Sequence, residues 1–276
     1  MTDDFLELAV TAARAAGALL RDRFNAPRTG VDTKTTPTDM VTDADRAAEA
    51  VIKEGIRSER PDDSILGEET GEAYGSSGLR WVVDPLDGTT NFLFGMPQWA
   101  VSIACEDAEG AFVGVVYDPL RDELFSAVRG TGATLNGAPI TISDATDLSH
   151  ALIGTGFSYL ASERGAAATL LPTILPRVRD IRRAGVASLD IAWVGVGRLD
   201  GFYESGLAPW DAAAGRLIVR EAGGRTDVMP ALGPSGSGLV AASPGIFDEL
   251  RDLIDRALGQ LADGAAGESH GARFAG

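Results

Sequence analysis

A chain of 276 residues, 45% hydrophobic and 23% charged, is long enough for one large domain or two fused lobes with a sizeable core. Its formal net charge of −16 disfavours a nucleic-acid partner, and no run approaches the roughly 18 apolar residues of a membrane span. The single cysteine, Cys105, lies in an apolar run and allows no intrachain disulfide, and the acidic start Met-Thr-Asp-Asp lacks the basic region of a secretory signal, so a cytoplasmic protein is expected.

Apolar spacing predicts an amphipathic helix over residues 3–25, with Phe5, Leu8, Ala12, Ala16 and Leu19 on one stripe. Val31–Asp39 is polar, contains Pro37, and reads as a hairpin or loop. A second helix is expected over Thr42–Glu59, capped by Thr42 or Asp43. Short strands follow at Ser64–Leu66 and Trp81–Val83, then at Ala100–Glu106, Ala111–Tyr117 and Glu123–Val128, separated by turn signals such as Asp118-Pro119. Asn136-Gly137 signals a hairpin. Beyond about residue 145 the pattern alternates. A strand at Ala151–Thr155 precedes a Pro-broken helix at Ala161–Val178, a helix at Ala187–Gly197 and a strand at Gly201–Glu204. A helix at Trp210–Ala222 ending at Gly223-Gly224, a strand at Gly238–Ala242 and a helix at Ile246–Leu261 complete it. An α+β lobe over 1–145, an α/β lobe over 146–262 and a disordered tail over 263–276 are therefore expected.

The densest chemical signal is Trp81–Pro97, W-V-V-D-P-L-D-G-T-T-N-F-L-F-G-M-P. An apolar strand ends at Asp84, Pro85 rules out a continuous helix, and a second carboxylate, Asp87, follows three residues later. Gly88 allows close backbone approach, and its N–H with those of Thr89 and Thr90 suits an oxyanion. Acids for a hard cation beside amides for an anion suggest a metal-bridged phosphate, which also answers how so acidic a protein handles an anion. Three further acidic sites stand at Gly67-Glu68-Glu69-Thr70, Thr42-Asp43-Ala44-Asp45 and Pro209-Trp210-Asp211. Each has a plain structural reading, as a helix cap or a solvated pair, and their weight lies in combination.

Competing signatures are missing. With two histidines, His150 and His270, a His-rich zinc site and H-E-x-x-H are excluded; no G-x-S-x-G or P-loop occurs, and Gly130-Thr131-Gly132 and Gly154-Thr155-Gly156 lack the third glycine of a dinucleotide loop. Asp43-Ala44-Asp45 is a minor alternative as an aspartyl-phosphate site, with Ala47 in place of its threonine.

Gly67-Glu68-Glu69, the D-P-L-D-G-T-T-N-F run of Asp84–Phe92 and the W-D-A-A-A-G run of Trp210–Gly215 together resemble the inositol monophosphatase family of Mg²⁺-dependent, lithium-sensitive phosphatases, from Phe5 to about Leu261. The resemblance implies a layered α/β/α/β/α sandwich of the inositol monophosphatase and fructose-1,6-bisphosphatase type, a homodimer, and two or three Mg²⁺ per site. It implies that Glu68, Asp84 and the Leu86 carbonyl hold a first ion, and that Asp84, Asp87 and Asp211 hold a second. Asp45 would pair with the Thr89 hydroxyl and help deprotonate the attacking water, which makes Asp45, Thr89 and Glu68 the expected catalytic residues. Gly88 and Thr89 amides would bind the phosphate; Glu204, Ala187, Ser188 and Lys34 would line the substrate side. Asp190 and Arg198 are close in sequence, with no assigned role.

The leading expectation is a phosphomonoesterase for myo-inositol 1-phosphate or a similar polyol phosphate. Histidinol phosphate and fructose 1,6-bisphosphate are the alternative substrates for the same metal shell. A regulatory or RNA-polymerase-associated binding role, which the resemblance to some bacterial relatives implies, is the alternative from a different class; the net charge argues against direct RNA contact.

Overall fold

The structure, a computed structural model, describes residues 2–26, 32–33 and 40–271. In chain order the first lobe contains α1 (Thr2–Phe24), β1 (Asp32–Thr33), β2 (Met40–Val41), α2 (Asp43–Glu59), β3 (Ser64–Gly67), β4 (Gly71–Ala73), β5 (Arg80–Asp87) and α3 (Thr89–Phe94). It continues with β6 (Ala100–Asp107), β7 (Gly110–Asp118), β8 (Glu123–Val128), β9 (Gly132–Leu135) and β10 (Ala138–Pro139). The second contains β11 (Leu152–Thr155), α4 (Ala161–Ala168), α5 (Leu171–Ile174), β12 (Asp180–Arg182), α6 (Ala187–Gly195), β13 (Gly201–Glu204), α7 (Pro209–Glu221), β14 (Arg225–Met229), β15 (Gly238–Ala242) and α8 (Pro244–Gly271). Two short 3₁₀ turns, Leu148–His150 and Leu175–Arg177, complete the set.

The strands build an eight-stranded sheet, β10-β9-β8-β7-β6-β5-β3-β4, antiparallel except where β3 lies parallel to β5, and a five-stranded sheet, β12-β11-β13-β15-β14. In the smaller sheet β11 runs parallel to both β12 and β13, while β15 is antiparallel to β13 and β14. Helices α1 and α2 cover one face of the large sheet, α6 and α7 fill the space between the sheets, and α8 covers the outer face of the small one. The result is the five-layer α/β/α/β/α sandwich. Each of its four layer junctions has its own apolar core, with Ile52 and Trp81 in the first, Val82 and Ile218 in the second, Ile191 and Phe202 in the third, Ile153 and Leu250 in the fourth. Strands covered on both faces need apolar residues at consecutive positions, which is why Trp81-Val82-Val83 reads as a continuous run: Trp81 and Val83 face α1 and α2, and Val82 faces α6 and α7. No described helix is long and apolar enough to cross a membrane.

Several boundaries differ from the sequence reading for physical reasons. The strand expected to stop before Asp84 continues to Asp87 as β5, because a bulge between Asp84 and Asp87 absorbs Pro85 without breaking the pairing to Ser102 and Ala100. Short edge strands β4, β12 and β14 are too polar or too brief to show a period. The last helix continues through Asp263 to Gly271, ten residues beyond Leu261. The expected hairpin at Val31–Asp39 is described only at its ends, where Asp32 and Thr33 pair with Val41 and Met40; Val31 and residues 34–39, Lys34 and Pro37 among them, lie outside the described residues.

Glycines let the middle layer sit close. A Cβ on Gly114 of β7 would stand 3.0 Å from the Cα and carbonyl oxygen of Ala214 on α7, and one on Gly215 would stand 2.7 Å from Ile191 of α6. The last glycine of W-D-A-A-A-G is thus a packing residue. Gly114→Val adds a residue of good strand propensity but forces α7 off the sheet, so we expect urea denaturation to show a loss of about 1–3 kcal/mol; an equal or higher midpoint would mean that α7 does not pack this closely.

Candidate active site

Sequence dictates where each acid lands. Thr42 caps α2: its Oγ1 accepts the Ala44 and Asp45 N–H groups, at 3.0 and 3.3 Å, and Asp45 reciprocates by accepting the Thr42 N–H at 2.9 Å and the Thr42 hydroxyl. Asp45 is therefore fixed with no exposure, its Oδ1 2.9 Å from Thr89 Oγ1, which also lies 3.1 Å from the Leu86 carbonyl. Gly88, at φ +92°, makes the left-handed corner that turns β5 into α3 and places Thr89 there. Pro209 opens α7, and Asp211 two residues on accepts the N–H of Ala208 at 2.7 Å.

Four carboxylates meet at this seam. Asp84 is 1% exposed, and Glu68, Asp87 and Asp211 are half-buried beside it. Burial first, then the charges of Glu68, Asp87 and Asp211, push Asp84 well above the usual carboxylate range. Asp211 is raised well above it in the same way, by burial and then by Asp87 and Glu68. Asp87 rises only to about 6, because the Ser188 N–H and hydroxyl, at 2.7 and 2.6 Å, oppose the burial. Asp84 takes the Leu86 N–H at 3.0 Å. Among the described residues no three acidic, histidine or cysteine side chains are gathered closely enough to hold an ion between them; the four acids are near enough to couple, and Asp84, Asp87 and Asp211 each keep one oxygen outside the hydrogen bonds named. The donor set, four carboxylates with a backbone carbonyl and no nitrogen or sulfur, fits a hard divalent cation, and the raised carboxyls show how much positive charge the cluster calls for.

A cavity of about 420 Å³ opens from Asp87 and Asp211 towards Glu204, with Ala187, Arg183 and Tyr159 on its walls. Glu204 ends β13, which lies in the middle of its sheet between β11 and β15. Burial, then Asp87, raises it to about 8 against the pull of Arg183. Its carboxylate takes the space a side chain at Gly156 would fill, 2.0 Å from that absent Cβ. Behind it, Asp190 is 1% exposed and raised to about 8 by burial, Asp87 and Glu204, with Oδ1 lacking a hydrogen-bond partner among the described residues.

The structure thus brings together Asp45, Glu68, Asp84, Leu86, Asp87, Gly88, Thr89, Asp211, Ala187, Ser188 and Glu204. It sends Arg198 elsewhere, to Glu123 at 2.5 and 2.6 Å. Arg183 and Tyr159 were missed: neither sits in a motif, and only the fold carries them to the cavity. The basic pair Arg182-Arg183, two residues before Gly185, was the one available signal.

The family model described as the inositol monophosphatase family matches residues 1–255. The Nus factor SuhB of Escherichia coli (strain K12) is 46% identical over 221 residues, 79% of this chain and 83% of that protein. The inositol-1-monophosphatase of Rhizobium meliloti is 46% identical over 225 residues, 80% and 84% respectively. The crystal structure of the extragenic suppressor protein SuhB from Bartonella henselae superposes with a TM-score of 0.85 at 38% identity, covering 91% of this chain and 98% of that one. With its acid cluster at the seam of a five-layer sandwich, and a family match along nearly its whole length, the chain belongs to the inositol monophosphatase family.

Proposed function

We propose that this phosphatase-family protein hydrolyses a phosphorylated polyol, myo-inositol 1-phosphate before histidinol phosphate or fructose 1,6-bisphosphate, with Mg²⁺ as cofactor and with lithium sensitivity. The observation that carries the reading is the convergence of Glu68, Asp84, Asp87 and Asp211 at one end of a cavity whose other end is Glu204. Glu68, Asp84 and the Leu86 carbonyl would hold one ion, and Asp84, Asp87 and Asp211 another, in a site for two or three. Magnesium, when bound, neutralises phosphoryl oxygens and lowers the pKa of water.

The chain's own groups do the rest. Asp45 and the Leu86 carbonyl compete for the single Thr89 proton, and the carboxylate, as the charged acceptor, takes it. Thr89 Oγ1 then offers only lone pairs to the cleft and orients a water as acceptor, while the Leu86 carbonyl stays available as a ligand. The N–H groups of Gly88 and Thr89, at the corner into α3, bind the phosphate. Ser188 holds Asp87 in place through two hydrogen bonds. Glu204, with its raised carboxyl, both donates to and accepts from substrate hydroxyls, and Ala187 forms the adjoining wall. The same reading extends to a cytoplasmic homodimer. A second reading, a part in transcription, is favoured by the name Nus factor borne by the Escherichia coli relative, and does not exclude the first.

Phosphate release from myo-inositol 1-phosphate with Mg²⁺ tests the assignment. We expect EDTA to stop it and Asp87→Asn to lower kcat by more than ~100-fold with the fold intact; a near-normal rate in that variant would sink the metal-site reading, and a higher kcat/KM on another phosphate would move the substrate.

Asp190 gives a separate stability signature. Its folded-state carboxyl holds a proton up to about 8, whereas the unfolded chain releases it near 3.8, so folding binds a proton between those values and stability falls as pH rises through them, by up to ~1.4 kcal/mol per pH unit. Chemical denaturation from pH 5 to 9 is expected to show a shallower decline in Asp190→Asn than in the parent; parallel curves would mean that Asp190 is ionised in the folded protein.

A further inference from the structure

Asp45, Glu49 and Lys53 stand four residues apart on one face of α2 and are 0%, 0% and 9% exposed. Only Asp45 has a part in the chemistry above. Burying the other two is expensive, and an apolar pair of similar volume is often as stable or more so, so stability alone does not account for them.

Their contacts do. Glu49 Oε2 accepts the Glu69 N–H at 2.8 Å, its Oε1 accepts the Thr70 hydroxyl, and Lys53 donates to that same hydroxyl while its Nζ stands 3.7 Å from Glu49 Oε1. The Glu49 carboxylate also fills the place of a side chain at Gly67: a Cβ there would stand 2.6 Å from its carbon and both oxygens. One carboxylate therefore touches the residue before Glu68 and the two after it. Glu68 itself is tied by its N–H to the Val83 carbonyl at 3.2 Å, one residue before Asp84. One turn earlier on the same face, Asp45 holds Thr89 beside Asp84 and Asp87. Both loops that carry the acids are thus indexed to one helix.

We propose, on the reading of Glu68 as a cation ligand, that Glu49 is a positioning residue: with Lys53 and Thr70 it fixes the Gly67–Thr70 turn so that Glu68 faces Asp84 at ion-binding distance. α2 acts as the ruler between two ligand-bearing loops that repel one another.

Calorimetric titration of the metal-free protein with MgCl₂ at 25 °C, beside steady-state kinetics, tests this. Glu49→Ala is expected to weaken Mg²⁺ binding by ~10- to 100-fold, with kcat at saturating Mg²⁺ kept within about threefold. Glu49→Gln, which retains an acceptor for the Glu69 N–H, recovers most of the affinity. Thr70→Val, which removes only the bridging hydroxyl, weakens binding by about threefold or more and decides the matter if Glu49→Ala does not fold. Parent-like Mg²⁺ affinity in Glu49→Ala or, failing that variant, in Thr70→Val, with only the melting temperature lowered, overturns the proposal. A parent protein that binds no Mg²⁺ overturns the ligand reading of Glu68 instead, and the role of Glu49 with it.

Discussion

Four carboxylates that repel one another, Glu68, Asp84, Asp87 and Asp211, set the problem that the surrounding structure solves. Left to themselves they would separate or take up protons, since burial and like charge both disfavour the ionised forms. Three elements anchor the four: the turn after β3 carries Glu68, the two sides of a bulge in β5 carry Asp84 and Asp87, and the first turn of α7 carries Asp211. Three of the four receive a hydrogen bond close by. The Leu86 N–H serves Asp84, Ser188 serves Asp87, and the Ala208 N–H serves Asp211, which also gains from the positive end of the α7 dipole.

Holding such a cluster demands rigid neighbours, and the middle layer supplies them. α6 and α7 are clamped between two sheets and pack against both. Gly114 and Gly215 remove the side chains that would keep α7 from the large sheet and from α6. The same logic operates on the outer side, where Gly17 of α1 allows the Tyr117 ring to lie 2.6 Å from its missing Cβ. Close layers leave little room for the loops to relax, so repulsion among the acids is borne by the whole sandwich rather than by a loop.

Much of this was legible in the sequence because it depends on local order. Thr42 with Asp45, Pro209 with Asp211 and Gly88 before Thr89 each encode a cap or corner whose geometry follows from residue type alone, and those are the positions that fix three of the site groups. The long strands β6 to β8 and helices α1, α2 and α7 showed themselves through apolar spacing. The rest depends on what lies across the fold. Whether Pro85 breaks or bulges a strand depends on its pairing with β6, which no local pattern records. Glu204 ends a four-residue strand, and only the order β11-β13-β15 puts that strand in the centre of its sheet. Arg183 follows a three-residue edge strand and reaches the cavity only because β12 joins β11.

The two halves of the site also divide the chemistry. The acids, with Asp45 and Thr89, come mainly from the elements around the eight-stranded sheet and, on the proposed reading, would specify a phosphoryl group with its cations. The far wall comes from the second lobe, from Gly156–Leu160, Arg183, Ala187, Glu204 and the Pro234-Ser235 turn. Loops can change without disturbing a core, so the alcohol is the variable part of the reaction. Here, among the described residues, Arg183 is the one Lys or Arg on that wall, and it shares the wall with Glu204, with Asp190 behind. A second phosphate on the substrate would meet Arg183, and an ammonium group would meet Glu204. Uncharged hydroxyls meet, in the raised carboxyl of Glu204, a partner that both donates and accepts. The far wall thus sets donors and acceptors of different charge side by side, so the choice of alcohol turns on which of Glu204 and Arg183 it engages, independently of the acids at the other end of the cavity.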